Sequence, residues 1–130
     1  MPLVKLDIQR GKSEVELRLL LDTVHNSLVK VFKIPERDRY QIINQHEPYE
    51  MIIQDSGLEY KRSETNIVIT ILSKERDNNK KIALYQTLVD DLNQFCGINP
   101  VDIMIAIHEN SNSDWSFGYG RAQFLTKDLI

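Results

Sequence analysis

The chain begins Met1-Pro2-Leu3-Val4, and a proline in second position can hold chemistry in reserve. Aminopeptidases remove an initiator methionine when a small residue such as proline follows, and the prolyl secondary amine is then free to act as acid, base or nucleophile. A chain start is also a place where proline's missing N–H costs nothing, so Pro2 alone fits a plain strand start equally. Three other groups raise the same kind of question. Lys74 and Arg76, two apart in Ser73-Lys74-Glu75-Arg76, suit a carboxylate, with Arg76 able to hold it bidentately; a solvated strand-to-helix turn would look the same. Asp38, between Arg37 and Arg39, either orients a water or protonated amine or is a turn residue. Trp115, Phe117 and Phe124 lie in an otherwise polar tail, where they either wall off a small dry site or anchor the tail to the body.

Other chemistries find no support. His25, His46 and His108 have no partner at metal-ligand spacing, so no metal is expected. Gly118-Tyr119-Gly120-Arg121 lacks the third glycine and strand–helix setting of a dinucleotide loop, and there is neither a phosphate-binding loop nor a Gly-x-Ser-x-Gly elbow; it reads as a flexible turn. Cys96 has no second cysteine to pair with and reads as a small core residue. Sixteen Lys and Arg against nineteen Asp and Glu, net −3, argue against a nucleic-acid partner. No apolar run reaches the roughly 18 residues a membrane span needs, and the first residues lack a basic segment followed by an apolar block. No membrane partner and a cytoplasmic location are therefore expected.

The elements that must position these residues are legible from periodicity. At 130 residues with 42% hydrophobic content, the chain fits one domain over 1–130. Residues 3–9 alternate as a strand, with Val4, Leu6 and Ile8 on one side. Ser13 and Glu16 form a capping-box pattern, and Leu17, Leu20, Leu21, Val24, Leu28 and Val31 predict a helix over Ser13–Phe32, ended by Pro35. Tyr40–Gln45 reads as a second strand. The order then returns: a strand over Asn66–Leu72, a helix over Asn79–Phe95 stopped by Gly97, and a strand over Asp102–Ile107. Ile34-Pro35-Glu36-Arg37-Asp38 echoes Ile98-Asn99-Pro100-Val101-Asp102 with one residue inserted, at a spacing of about 64 residues.

Two β-α-β units, about 2–47 and 66–110, each with parallel strands and a right-handed crossover, predict an α+β fold: one four-stranded sheet with both helices on one face. Glu50–Gln54 is a candidate extra strand, and the last twenty residues form a tail. Strands one and three, if side by side and parallel, place the amino terminus and residues 73–76 at opposite ends, so that a neighbouring subunit is needed to join them. The uncovered sheet face is expected to be a large apolar patch and to recruit that subunit.

Met1-Pro2-Leu3, Asp38-Arg39-Tyr40-Gln41, Gln45-His46, Cys96-Gly97-Ile98, Glu109-Asn110-Ser111 and Asp114-Trp115-Ser116-Phe117-Gly118, set in the doubled β-α-β plan, resemble the tautomerase superfamily, and within it the malonate semialdehyde decarboxylases. The resemblance covers nearly the whole chain. It implies a homotrimer with no cofactor and active sites around the amino-terminal proline, acting on a small-molecule oxo acid. Carried over by position, it implies Pro2 as the catalytic proline, Asp38 as the orienting aspartate and Arg76 as one of two carboxylate-binding arginines. Lys74 stands where the other arginine is expected, keeping the charge but losing the planar fork. The implied aromatic wall is Trp115, Phe117 and Phe124, with Leu129 beside it. The implied activity is decarboxylation of malonate semialdehyde or a similar 3-oxo acid. The alternatives are a keto-enol tautomerase or hydratase acting on 2-oxo acids, and a trimeric binding module without catalysis.

Overall fold

The computed structural model describes residues 2–129. Six elements follow the predicted order: β1 (Leu3–Gln9), α1 (Glu14–Phe32), β2 (Tyr40–His46), β3 (Ile67–Lys74), α2 (Asn78–Cys96) and β4 (Ile103–Asn110). Local chemistry explains the helix ends. Ser13 Oγ accepts from the Glu16 amide at 3.2 Å while the Ser13 amide donates to the Glu16 carboxylate at 3.0 Å, so two otherwise orphaned donors at the start of α1 are satisfied together. Asp77 caps α2 by accepting from the Lys80 amide at 2.8 Å. Each helix stops on a left-handed residue, Lys33 at φ 57° and Gly97 at φ 67°.

Four-residue spacing makes the core. Leu20, Val24 and Leu28 of α1 and Leu84, Leu88 and Leu92 of α2 are buried against Val4, Leu6 and Ile8 of β1 and Ile67, Ile69 and Ile71 of β3. Period 2 meets period 3.6 here, and both helices cover the same sheet face. Cys96 is half-buried against this core and donates its thiol to Thr23 Oγ1 at 3.5 Å. Glu50–Gln54, the candidate extra strand, forms none; Pro48–Glu50 makes a single 3-10 turn and the chain then runs irregularly. Its apolar residues dock one at a time, Met51 buried and Ile52 exposed, without a neighbouring strand to pair with.

The repeat is stricter than its sequence suggests. Moving 64 positions along carries the bounds of α1 onto those of α2, Lys33 onto Gly97 and Asp38 onto Asp102. No residue is inserted between the two turns; only the proline shifts within them, Pro35 facing Asn99 and Pro100 facing Glu36. Ser27 and Asp91 are equivalent positions, yet they touch, Ser27 Oγ donating to Asp91 Oδ2 at 2.8 Å. Equivalent residues meet only on a symmetry axis, so a pseudo-twofold passes between the helices there.

That axis corrects the expected strand direction. The sheet order is β2-β1-β3-β4, with β1 parallel to β2 and β3 parallel to β4, but β1 runs antiparallel to β3, Leu3 opposite Leu72. A twofold normal to the sheet reverses the second unit, which the crossover rule inside each unit does not govern. The open sheet face also departs from expectation. The alternation puts Leu3, Leu72 and Met104 there, but also Lys5, Thr70 and a contact of 2.7 Å between His46 Nε2 and Asp7 Oδ1. It is a mixed surface rather than an apolar patch.

Candidate active site

Reversal of the second unit brings the two informative ends together in one chain. Pro2, buried, lies one residue before the Leu3–Leu72 pair, which sets it beside Ser73 at the end of β3, and Lys74 and Arg76 follow immediately. At this end is a cavity of about 550 Å³ whose lining includes Phe32, Asp38, Lys74, Arg76, Phe124 and Leu129. The expectation that a second subunit must deliver residues 73–76 to the amino terminus is thus corrected.

The two cations are held without being neutralised. Arg76 Cζ sits 4.8 Å from the Phe32 ring centroid, and Lys74 Nζ sits 4.8 Å from that of Phe124. Cation–π contact orients a charge but leaves its hydrogen bonds unused. Neither side chain has an ion pair among the described residues, and Arg76 Nε is buried without any partner. Burial draws the Arg76 pKa down from its ordinary value, yet a guanidinium stays charged. The Arg76 backbone is fixed, its amide donating to Glu109 Oε2 at 3.1 Å, while Lys81 Nζ holds Glu109 Oε1 at 2.7 Å. The Lys81 bond and the Arg76 amide hold the Glu109 carboxyl below the usual range. Buried polar groups in native structures are nearly always paired. Two of the three exceptions among the described residues, Ser73 Oγ and Arg76 Nε, fall at this end.

Asp38 is positioned by the α1–β2 connection. Its amide donates to Pro35 O at 3.0 Å, His25 Nε2 lies 2.8 Å from Glu36 O, and Arg39 spans Asp22 Oδ1 and Gln41 Oε1, both at 2.7 Å. His25, which sequence spacing left without a role, is therefore a strut for this turn. The half-buried Asp38 carboxylate accepts no hydrogen bond from any described residue.

The pseudo-twofold supplies an internal control. Asp102, equivalent to Asp38, is only 1% exposed and accepts from Ser63 N at 2.7 Å, Ser63 Oγ at 2.6 Å and Thr65 Oγ1 at 2.8 Å. Burial pushes its carboxyl up, but the Ser63 and Thr65 hydrogen bonds outweigh that and hold it below the ordinary value of 3.8. Arg10, equivalent to Lys74, is tied to Glu47 at 3.1 Å, and Asn66 stands where Pro2 would be, beside a smaller cavity of about 230 Å³. At that end the carboxylate and Arg10 are paired, although Asn66 Oδ1 is buried without a partner; at the other, Asp38 and Lys74 have no such pairing among the described residues. Because the Asp102 pKa is lower folded than unfolded, its contribution to stability is present above about pH 4 and is lost as pH falls through the folded value. Asp102→Asn is therefore expected to flatten the acid limb of a urea-midpoint profile measured between about pH 2 and pH 6.

The aromatic residues divide by role. Phe124 lines the cavity with Leu129, whereas Trp115 and Phe117 do not line it. They stack at 5.5 Å and 7° behind it, Phe117 meeting Phe124 edge-on at 5.5 Å and Tyr40 at 5.6 Å, with Trp115 Nε1 donating to Asn110 Oδ1 at 2.9 Å. Anchor and wall are thus one aromatic chain. Arg121, bonded to Asp128 Oδ2 at 2.9 and 3.1 Å, closes the tail onto the cavity. Phe32, Lys33, Ile34, Pro35, Arg37 and Asp128 also line it and were not singled out by sequence. The first five are neighbours of Asp38 at the end of α1, and that adjacency was the available signal. Among the described residues no cluster of three His, Cys, Asp or Glu side chains could hold a metal, and no helix is long and apolar enough to cross a membrane.

A doubled β-α-β sheet with a buried proline at its first strand, next to unpaired cations, defines the tautomerase class, and the comparisons agree. Two family profiles described as tautomerase enzyme match residues 2–61 and 38–118. The chain belongs to the tautomerase superfamily of enzymes. It is 43% identical to the probable tautomerase YrdN of Bacillus subtilis (strain 168) over 129 residues, 99% of this chain and 100% of that one. A crystallised malonate semialdehyde decarboxylase, studied for its decarboxylase and hydratase activities, superposes with a TM-score of 0.95 at 43% identity, covering 98% of this chain and 99% of the other. A fused 4-OT symmetric trimer shares the fold at a TM-score of 0.74 and 15% identity, covering 92% and 94%.

Proposed function

We propose that the protein is a cofactor-independent decarboxylase of malonate semialdehyde or a similar 3-oxo acid, acting as a homotrimer through the Pro2 amine once Met1 is removed. The observation that carries the proposal is that, in one chain, Pro2 lies beside Ser73 at the end of β3, and the residues that follow, Lys74 and Arg76, line one cavity with Asp38, whose carboxylate accepts no hydrogen bond from a described residue. The homotrimer is supported by the oligomeric state of fold neighbours.

In the proposed reaction Lys74 and Arg76 hold the substrate carboxylate. The C–C bond to that carboxylate breaks, its electron pair flows toward the carbonyl, and carbon dioxide leaves; a proton added to the resulting carbon gives the aldehyde. Two routes provide the electron sink. A protonated Pro2 hydrogen-bonds the carbonyl oxygen, with Asp38 favouring the charged amine; or neutral Pro2 adds to the aldehyde and loses water, giving an iminium that, after carbon dioxide leaves and carbon is protonated, is hydrolysed by water to free the product aldehyde and the amine. In either route Phe32, Phe124 and Leu129 line the cavity with apolar surface, where a carboxylate is less stable than neutral carbon dioxide.

Lys74 favours one second reading. An ammonium held over Phe124 lacks the arginine fork, which suits a tautomerase or hydratase acting on 2-oxo acids, and YrdN is named a probable tautomerase. Carbon dioxide release from malonate semialdehyde, assayed beside phenylpyruvate ketonisation, separates them: isomerase activity without lyase activity establishes the second reading. Lys74→Arg is expected to raise kcat/KM for the 3-oxo acid about three- to tenfold through the added bidentate contact. An intact mass retaining Met1 would eliminate both chemistries and leave a binding module.

A further inference from the structure

The core-facing row of β3 breaks its own pattern at its last position. Ile67, Ile69 and Ile71 pack under the helices, and Ser73, next in the alternation, follows them with 0% exposure. An aliphatic side chain there would extend the core without burying a polar group. Instead a hydroxyl is buried, and Ser73 Oγ has no hydrogen-bond partner among the described residues. A buried hydroxyl left unpartnered is destabilising, so its presence calls for a partner. Solvent does not reach the atom, and that partner has to come from the chain itself. Glu109, across from Ser73 on β4, is already engaged by Lys81 and the Arg76 amide.

On the other side of Ser73 stands the amino terminus. Leu3 lies opposite Leu72, which sets Pro2 opposite Ser73, and Pro2 continues the buried row of Val4, Leu6 and Ile8. Both residues therefore belong to the helix-facing side of adjacent strands, where directly opposed side chains are neighbours. With Met1 attached, the Pro2 nitrogen is a tertiary amide and has no hydrogen to donate. Removal of Met1 converts it to a secondary amine whose protonated form carries two N–H donors. The hydroxyl thus lacks a partner in the chain whose Pro2 nitrogen is blocked, and the processed chain supplies one at the opposed position.

We propose that Ser73 is a positioning residue, its Oγ accepting a hydrogen bond from the protonated Pro2 amine, which fixes the direction of the amine and favours its charged form. The proposal rests on the reading that Pro2 is the reacting group. Other charged and titratable groups surround this end from each element: His25 of α1, then Lys33, Arg37, Asp38 and Arg39, Tyr40 of β2, Lys74 and Arg76, Lys81 of α2, Glu109 of β4 and Asp128 of the tail. None of them is altered when Ser73 alone is replaced, so a difference between variants reports the hydroxyl.

The test is a pH titration of the mature protein labelled with [15N]proline, followed by 15N NMR. Of the four prolines only Pro2 then has a titratable nitrogen. Ser73→Ala is expected to lower the pKa of that nitrogen by about one unit, and Ser73→Thr, which returns the hydroxyl on a strand suited to β-branching, to restore most of it. Alanine removes a single oxygen from the site, so the fold should persist. An amine pKa unchanged in Ser73→Ala overturns the proposal, as do equal shifts in the alanine and threonine variants, which would assign the effect to packing. Retention of Met1 in the intact mass overturns it too. The expected pair of shifts in a protein that releases no carbon dioxide from malonate semialdehyde supports the role of Ser73 while removing the decarboxylase reading.

Discussion

Pro2→Ala is expected to lower kcat/KM for the oxo acid by about 10²- to 10⁴-fold, the range associated with loss of a positioned acid–base group. Alanine leaves a primary amine after methionine removal, so the variant tests the prolyl nitrogen rather than the mere presence of a terminus. Pro2 precedes β1 and donates no ladder hydrogen bond, so the sheet should persist. A circular dichroism spectrum and urea midpoint matching wild type will show that the loss is chemical. Activity unchanged by this substitution would mean that the amine does nothing, and the cavity would then be a binding site alone.

Arg76→Ala is expected to have the next largest effect, about 10²- to 10³-fold in kcat/KM. Its distribution between the two constants is informative. In the proposed reaction the guanidinium holds a carboxylate that becomes neutral carbon dioxide, so it would stabilise the bound substrate at least as strongly as the transition state, and the loss should fall mainly on KM. Arg76 contacts Phe32 through its side chain but is fixed through its backbone amide by Glu109, a bond that alanine retains. Steady-state kinetics with substrate raised well above the wild-type KM will separate the two constants. A fall confined to kcat would assign Arg76 to the chemical step instead of to holding the carboxylate.

Both expectations depend on a contrast inside the chain. The pseudo-twofold lays two versions of one strand-end arrangement side by side: among the described residues, Asp102 accepts three hydrogen bonds and the Asp38 carboxylate none, and Arg10 pairs with Glu47 while Lys74 has no ion pair. Saturated groups stabilise a fold, whereas unsatisfied charge at the edge of a cavity is kept at some cost in stability and is available to a ligand. The fold-bearing version stands beside the one proposed to be functional.

Much of this was legible in residue order alone. The Ser13 and Glu16 pair, the Leu20–Val24–Leu28 row and Gly97 specify helices through backbone capping and a 3.6-residue period, which are properties of a local segment. The alternation of Val4, Leu6 and Ile8 specifies a strand and its buried face for the same reason. Pro2, Asp38, Lys74 and Arg76 were recognisable as groups with chemistry to offer because residue type carries charge and basicity wherever it sits. Tertiary structure decided how these pieces face one another. Alternation reads the same from either end of a strand, so Ile67, Ile69 and Ile71 would bury equally well parallel or antiparallel to β1. The twofold packing of the helices, visible in the Ser27–Asp91 contact, selected the antiparallel choice, and with it the placement of Pro2 beside Ser73 in a single chain. Which charges remain unpaired was settled at the same level, since Lys74 and Arg10 differ little as residues and differ wholly in what long-range folding sets beside them.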